Sequence, residues 1–245
     1  MSNRIRLDEL LVQRGFYPSR SRARDAILRG TIRIGGLPAT KPAQPVGVNA
    51  EIESADRAQH YVSRAALKLE FALDRFEIPV KGMNSLDIGA STGGFTQVLL
   101  ERGASHVTAI DVGHGQLADM LRGDARVSAI EGLNARDLGA EQLRGAPQLI
   151  VSDVSFISLR LALPPALELA EPGAHLVALI KPQFEAGRVR IGKGGIVSDP
   201  AVQKAICDEI SDFLSDRKWQ VMGIVPSPIM GGDGNQEFLI TARKA

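Results

Sequence analysis

From residue 84 onward this chain alternates short apolar runs with stretches of helical periodicity, and that alternation restricts its fold more than any other feature. The runs fall at residues 86–88, 107–110, 127–130, 149–151 and 176–180. Strands separated by helices are not hairpins. They line up in parallel, and the crossovers cover both faces of one sheet. Two further runs, residues 220–225 and 238–241, are joined by Gly- and Pro-rich chain with no helical pattern between them, which suits antiparallel pairing. The expected architecture is a seven-stranded, mostly parallel α/β sheet with a reversed last strand, preceded by a small module.

Length and composition agree with that division. A chain of 245 residues with 44% apolar residues buries a real core and has room for one ordinary domain plus a smaller one. The net charge of +1 hides an asymmetry, because residues 1–50 hold nine Lys and Arg against three Asp and Glu while the remainder is acidic. A basic head on a mildly acidic body suits a polyanionic partner. Cys207, the single cysteine, has no intrachain disulfide partner, and the amino terminus lacks the pattern of a secretory signal, so a reducing cytoplasm is the expected location. No apolar run reaches the roughly 18 residues of a membrane span, so a soluble protein with no membrane partner is expected. His60, His106, His114 and His175 lack zinc-ligand spacing, and no metal is expected.

In the head, Leu7, Leu10 and Leu11 recur at helical spacing, and Gly15 and Pro18 interrupt. Ser19 is placed to cap a second helix, with Ala23, Ala26 and Ile27 as its apolar stripe and Gly30 as its end. Ile32, Arg33 and Ile34 alternate as in a strand, Gly35-Gly36 makes a turn, and residues 57–60 read as a polar linker. Arg20 and Arg24 share one helix face and Arg22 and Arg29 another, so like charges crowd unless an external anion such as a phosphate backbone neutralises them. The segment resembles the S4-type RNA-binding domain through Arg6-Leu7-Asp8-Glu9-Leu10-Leu11-Val12, Ser19-Arg20-Ser21-Arg22-Ala23 and Gly30-Thr31-Ile32-Arg33-Ile34-Gly35-Gly36. That resemblance implies RNA binding by residues 1–60, with Arg4, Arg6, Arg20, Arg22, Arg24 and Arg33 as the contacts.

After the first strand of the second half comes Leu86-Asp87-Ile88-Gly89-Ala90-Ser91-Thr92-Gly93-Gly94-Phe95. Glycines at such a strand-to-helix turn let backbone approach a ligand closely. Ser91 stands where a dinucleotide-binding turn would have its second glycine. Asp111, about 20 residues on, closes the second strand, where a carboxylate commonly accepts from ribose hydroxyls; it could equally cap the turn at Gly113. His114 lies a few residues further, either near a cofactor or simply solvated.

Four more residues stand out by setting. Lys68 lies on a predicted helix, with Ala66, Leu69 and Leu73 as the buried stripe. Asp153 and Lys181 each follow an apolar run, so both fall at carboxyl ends of parallel strands, the edge where open sheets bind ligands. Glu237 follows the Gly231-Gly232-Asp233-Gly234-Asn235 turn and opens the last strand. Two amines and two acids beside a cofactor turn suit deprotonation of a weakly acidic alcohol, and methyl transfer onto a ribose hydroxyl is the chemistry expected. Phe156 and Phe184 could stack a base or lie in the core. Cys207 reads as packing, in a helix announced by Ser198, Asp199 and Pro200.

Nearly end to end, the chain resembles the TlyA family of ribosomal RNA ribose methyltransferases, whose older label is hemolysin and whose catalytic domain is FtsJ-like. The resemblance rests on Tyr61-Val62-Ser63-Arg64, on residues 87–96, on Asp111-Val112-Gly113-His114-Gly115-Gln116-Leu117, on Lys181-Pro182-Gln183-Phe184-Glu185 and on residues 192–197. It implies a Rossmann-like, S-adenosylmethionine-dependent methyltransferase fold over residues 61–245. It also implies catalysis by Lys68, Asp153, Lys181 and Glu237, and cofactor contacts from Asp87, Gly89, Ala90, Ser91, Gly93, Gly94, Phe95 and Asp111. The implied cofactor is S-adenosyl-L-methionine and the implied partner is ribosomal RNA or a ribosomal subunit, methylated at cytidine 2′-hydroxyls of 16S or 23S RNA. One departure is Ala65-Ala66, where a glycine is expected before the lysine. Three rivals remain: a non-catalytic RNA-binding or assembly factor, a membrane-active hemolysin, and a nicotinamide oxidoreductase. The sequence sets no oligomeric state.

Overall fold

The computed structural model describes residues 4–186 and 192–245, and of Lys193 the backbone alone. The chain forms two compact units, Met1–His60 and Tyr61–Ala245.

In the first unit, β1 (Arg4–Arg6) runs directly into α1 (Leu7–Gln13), and α2 (Arg20–Leu28) follows after Ser19, whose hydroxyl accepts from the Arg22 N–H at the first turn. The hairpin β2 (Ile32–Ile34) and β3 (Leu37–Pro38) turns at Gly35-Gly36; β4 (Pro45–Gly47) pairs with β1, and β5 (Ile52–Ser54) pairs with β2. Leu7, Leu10, Leu11, Ala23, Ile27 and Ile32 make its core, the stripe that helical periodicity predicts. Residues 57–60, read as a polar linker, have a defined local structure. They form a 3-10 turn, Arg57–His60, because buried Asp56 accepts the Ala58 N–H at 2.9 Å and both outer nitrogens of Arg29 at 2.7 and 2.8 Å.

The second unit starts with α3 (Ala66–Arg75) and then builds its sheet: β6 (Asn84–Ile88), α4 (Gly94–Glu101), β7 (His106–Asp111), α5 (Asp119–Arg122), β8 (Val127–Glu131) and β9 (Leu149–Ser152). Short helices α6 (Leu159–Ala162) and α7 (Pro164–Leu169) lead to β10 (His175–Ile180), and α8 (Pro182–Glu185) follows it. Helix α9 (Pro200–Ser215) precedes the closing pair β11 (Trp219–Pro226) and β12 (Phe238–Lys244).

The strand order is β11-β12-β10-β9-β6-β7-β8, with β12 antiparallel to both its neighbours and the other pairings parallel. This is the expected seven-stranded sheet with its last strand reversed. Strand periodicity divides the core in two. Leu86, Ile88, Ile150 and Ile180 face α6, α7 and α9 on one side, while Val107, Leu149, Val151 and Leu179 face α3 and α4 on the other. Asp199 caps α9 by accepting from the Ala201 N–H at 2.8 Å, and Cys207 is buried on that helix, where burial pushes its thiol up to about 11. That thiol stays protonated and serves as packing.

Candidate active site

The carboxyl edge of the sheet brings the four singled-out residues into contact. β9 ends at Ser152 and β10 at Ile180, so Asp153 and Lys181 emerge side by side from adjacent parallel strands. β12 runs back along β10 with Phe238 opposite Ile180, which sets Glu237 beside Lys181. Lys68 reaches the same point from α3. Its ammonium donates to Glu237 Oε2 at 2.6 Å and lies 3.5 Å from Asp153 Oδ2. Lys181 Nζ lies 2.6 Å from Asp153 Oδ1 and donates to the Ser155 hydroxyl at 2.8 Å. The result is one continuous chain, Glu237 to Lys68 to Asp153 to Lys181.

This cluster is buried: Glu237 is 3% exposed, Lys68 5% and Lys181 8%. Two positive and two negative groups cancel, which makes burial tolerable where a lone ion would not be. Burial by itself would raise the Asp153 carboxyl, but the Lys68 and Lys181 ammoniums outweigh it and hold Asp153 below the usual aspartate range. Asp153 is therefore ionised at neutral pH.

Beside the cluster, the glycine turn between β6 and α4 lines a cavity of about 190 Å³ through Gly89, Ala90, Ser91, Thr92, Gly94 and Phe95. Asp153, Ser155 and Lys181 form its other wall. Gly89 has φ +81°, and a Cβ there would stand 3.1 Å from the Asp153 carbonyl oxygen, so only glycine lets the turn pass this close to β9. At Gly94 a Cβ would stand 2.9 Å from the Ser63 Cβ and 3.2 Å from the Ala66 nitrogen. The Ala65-Ala66 stretch thus meets a glycine of the turn at close range.

The remaining candidates of the turn take different places. Gly93 packs against Leu117 and Leu121, outside the cavity lining. Asp87 is fully buried beneath the turn, where it accepts from the Thr96 hydroxyl at 2.7 Å, and burial pushes its carboxyl up to about 7. Asp111 accepts from the Ser91 N–H at 2.8 Å and from the Gly113 N–H at 2.7 Å, so it braces two turns and keeps a lone pair on each oxygen. Ser91 takes the left-handed conformation, φ +48°, without being glycine. His114 is exposed, with its ring over Gly132.

A second cavity, about 500 Å³, opens on the other side of the lysines and is lined by Lys68, Glu237, Phe156, Gln183 and Phe184. Phe156 is 91% exposed and has φ +65°, and its ring centroid lies 5.2 Å from that of Phe184 at a 50° tilt. Ser155, which lines both cavities, does not stand out in the sequence, whereas Ser63, Ala65 and Thr92 lie within the motifs already named. Small residues beside a motif carry no periodic signal.

In the first unit the arginines divide. Arg6 pairs with Asp8 at 2.9 Å, and Arg20 spans Asp8 at 3.1 Å and Glu9 at 3.0 Å. The Arg6 hydrogen bonds, aided by Arg20, keep the Asp8 carboxyl below its ordinary value. The crowding expected along α2 is thus relieved in part from within the unit. Arg22 donates to the Ala58 carbonyl at 3.1 Å. Arg4, Arg24 and Arg33 are exposed and make no ion pair among the described residues.

A glycine turn leaving the first strand of a sheet with a reversed last strand, next to a buried lysine–carboxylate chain, defines a Rossmann-like methyltransferase. The chain belongs to the FtsJ-like methyltransferase family, whose profile matches residues 61–244, and it carries an S4 domain at residues 5–52. It is similar to the 16S/23S rRNA (cytidine-2′-O)-methyltransferase TlyA of Mycobacterium tuberculosis, with 45% identity over 99% of this chain and 91% of that protein. It is also similar to hemolysin A of Brachyspira hyodysenteriae, with 42% identity over 96% of this chain and 98% of that one. A solved structure of a provisionally named hemolysin from Streptococcus thermophilus aligns with TM-score 0.77 and 39% identity, covering 100% of this chain and 90% of that chain. Among the described residues no helix is long and apolar enough to cross a membrane, and no group of three or more His, Cys, Asp or Glu could hold a metal ion.

Proposed function

We propose that this protein transfers the methyl group of S-adenosylmethionine to a ribose 2′-hydroxyl of ribosomal RNA, a cytidine in the reading its relatives' names favour. The observation that carries the proposal is the buried chain Glu237, Lys68, Asp153, Lys181 at the sheet edge, with a cavity on either side.

The glycine-turn cavity fits the cofactor in its chemistry: half-buried Gly89 and the start of α4 line it, and Asp111, which accepts the N–H of the lining residue Ser91, has acceptor capacity left for ribose hydroxyls. Bound there, the cofactor supplies a methyl electrophile. A ribose hydroxyl entering from the second cavity meets Lys181, whose N–H groups fix its oxygen and favour the developing alkoxide, and the hydroxyl proton passes to water in that cavity as the oxygen takes the methyl. Lys68 adds positive potential, and Asp153 and Glu237 hold the two amines in place. Phe156, held out into the second cavity's mouth in a conformation that costs a non-glycine residue about 1 kcal/mol or more, offers a stacking face for the base, with Phe184 beside it. The S4 unit is proposed to grip RNA phosphates through Arg4, Arg24 and Arg33, with Arg6, Arg20 and Arg22 nearer its own carboxylates and carbonyls.

The test is incubation of the protein with methyl-tritiated S-adenosylmethionine and bacterial ribosomal subunits, followed by digestion to nucleosides. Label in 2′-O-methylcytidine is expected. Label confined to bases or protein, or none, overturns the proposal.

A further inference from the structure

We propose that Ser155 is a positioning residue for Lys181, its hydroxyl fixing the lysine ammonium at the junction of the two cavities. The inference rests on the ribose methyltransferase reading above and names a fifth member of its machinery. Three observations carry it. Among the described residues, Ser155 and Lys181 are the two that line both cavities, which puts the passage of the methyl from cofactor side to substrate side at their position. Among the described residues, the two oxygens paired with Lys181 Nζ are Asp153 Oδ1 at 2.6 Å and Ser155 Oγ at 2.8 Å. An ammonium has three donors, so with two of them directed by these oxygens the third has a defined direction, toward an entering alcohol oxygen.

The third observation is that the loop carrying Ser155 is tied three residues further on, at Ser158 and Leu159. Four residues beyond Lys181, Glu185 accepts the Ser158 hydroxyl at 2.5 Å and the Leu159 N–H at 2.7 Å. The loop after β9 and the helix after β10 are therefore joined by two rungs, Lys181 to Ser155 and Glu185 to Ser158. Between the rungs lies Phe156 with its left-handed backbone. A lysine side chain free to turn would lose much of its time away from the reacting oxygen, and a clasped one does not.

The experiment compares Ser155→Ala, Ser155→Thr and Lys181→Met with the parent protein, measuring kcat and KM for ribosomal subunits together with the melting temperature. Ser155 is exposed, so its alanine variant should fold and melt as the parent does. Loss of one directing hydrogen bond predicts a kcat about tenfold lower in Ser155→Ala with KM unchanged, and recovery of most of that loss in Ser155→Thr, which restores the hydroxyl. Full kcat in Ser155→Ala, a loss confined to KM, a matching fall in melting temperature, or no recovery with threonine would each overturn the proposal. Lys181→Met separates it from its parent reading. If that variant is inactive while Ser155→Ala runs at full rate, only the Ser155 role falls; if Lys181→Met also runs at full rate, the ribose methyltransferase site falls with it.

Discussion

Replacing Lys68 by methionine should destabilise the second unit strongly at neutral pH and only mildly in acid. Lys68 lies 2.6 Å from Glu237 and 3.5 Å from Asp153, and all three are largely withdrawn from water. Without its ammonium, Glu237 is a buried carboxylate that has lost the ion pair it makes among the described residues, with another carboxylate nearby. Removing one partner of such a buried pair costs about 3–5 kcal/mol. The cheapest relief is protonation of Glu237, so in the variant its folded-state pKa should rise above the unfolded value of about 4.3. A group raised in this way stabilises the fold below the unfolded pKa and loses that contribution as pH rises through the folded pKa. The deficit should therefore shrink on acidification, by up to about 1.4 kcal/mol per pH unit. Urea unfolding from pH 5 to 8 reads this directly, because Trp219 is the single tryptophan and is 1% exposed in the core of this unit. Adding Glu237→Gln should recover about 2 kcal/mol of the loss at pH 7.5. A deficit below about 1 kcal/mol, one that ignores pH, or a double variant weaker than the single would refute the pairing argument.

Asp87, raised to about 7 by burial, contributes stability that is full below about pH 4 and lost as pH rises through 7, so Asp87→Asn should gain on the parent in melts at pH 8 relative to pH 5. His106 behaves in the opposite sense: burial lowers its pKa and both ring nitrogens lack partners among the described residues, so its presence costs stability as pH falls below about 6.5, and His106→Gln should flatten the acid side of the melting profile. Arg24→Glu with Arg33→Glu should weaken binding to ribosomal RNA and reduce the slope of log K against log salt by about one per lost contact, while cofactor affinity measured by calorimetry is kept. Arg6→Ala should instead lower the melting temperature of the protein, since Arg6 braces Asp8.

Much of this was readable from the chain because the readable parts are local. Strand runs of Val, Ile and Leu announce the sheet, and Asp153 and Lys181 are located by where those runs stop. Glu237 follows from the turn that precedes the last strand. What could not be read depends on partners far along the chain. The helical pattern around Lys68 shows which face Leu69 and Leu73 bury, but the burial of Lys68 itself depends on Glu237, 169 residues away. Arg20 reads as an RNA contact beside Arg24, and its pairing with Asp8 and Glu9 depends on where α1 sets those carboxylates. Asp87 is named as a cofactor contact by the resemblance alone, and its burial against Thr96 depends on the closing of α4 over β6, which no local pattern shows. Ser155 has no signal of its own; only the meeting of two strand ends gives its hydroxyl a partner.

The most direct test of the whole account is the single-turnover rate of methyl transfer to ribosomal RNA by Lys181→Met with S-adenosylmethionine bound. If Lys181 is the group that meets the ribose oxygen, the rate should fall by about 10²–10⁴-fold while cofactor binding and fold persist. A variant that methylates the same 2′-hydroxyl at the parent rate would contradict the account at its centre.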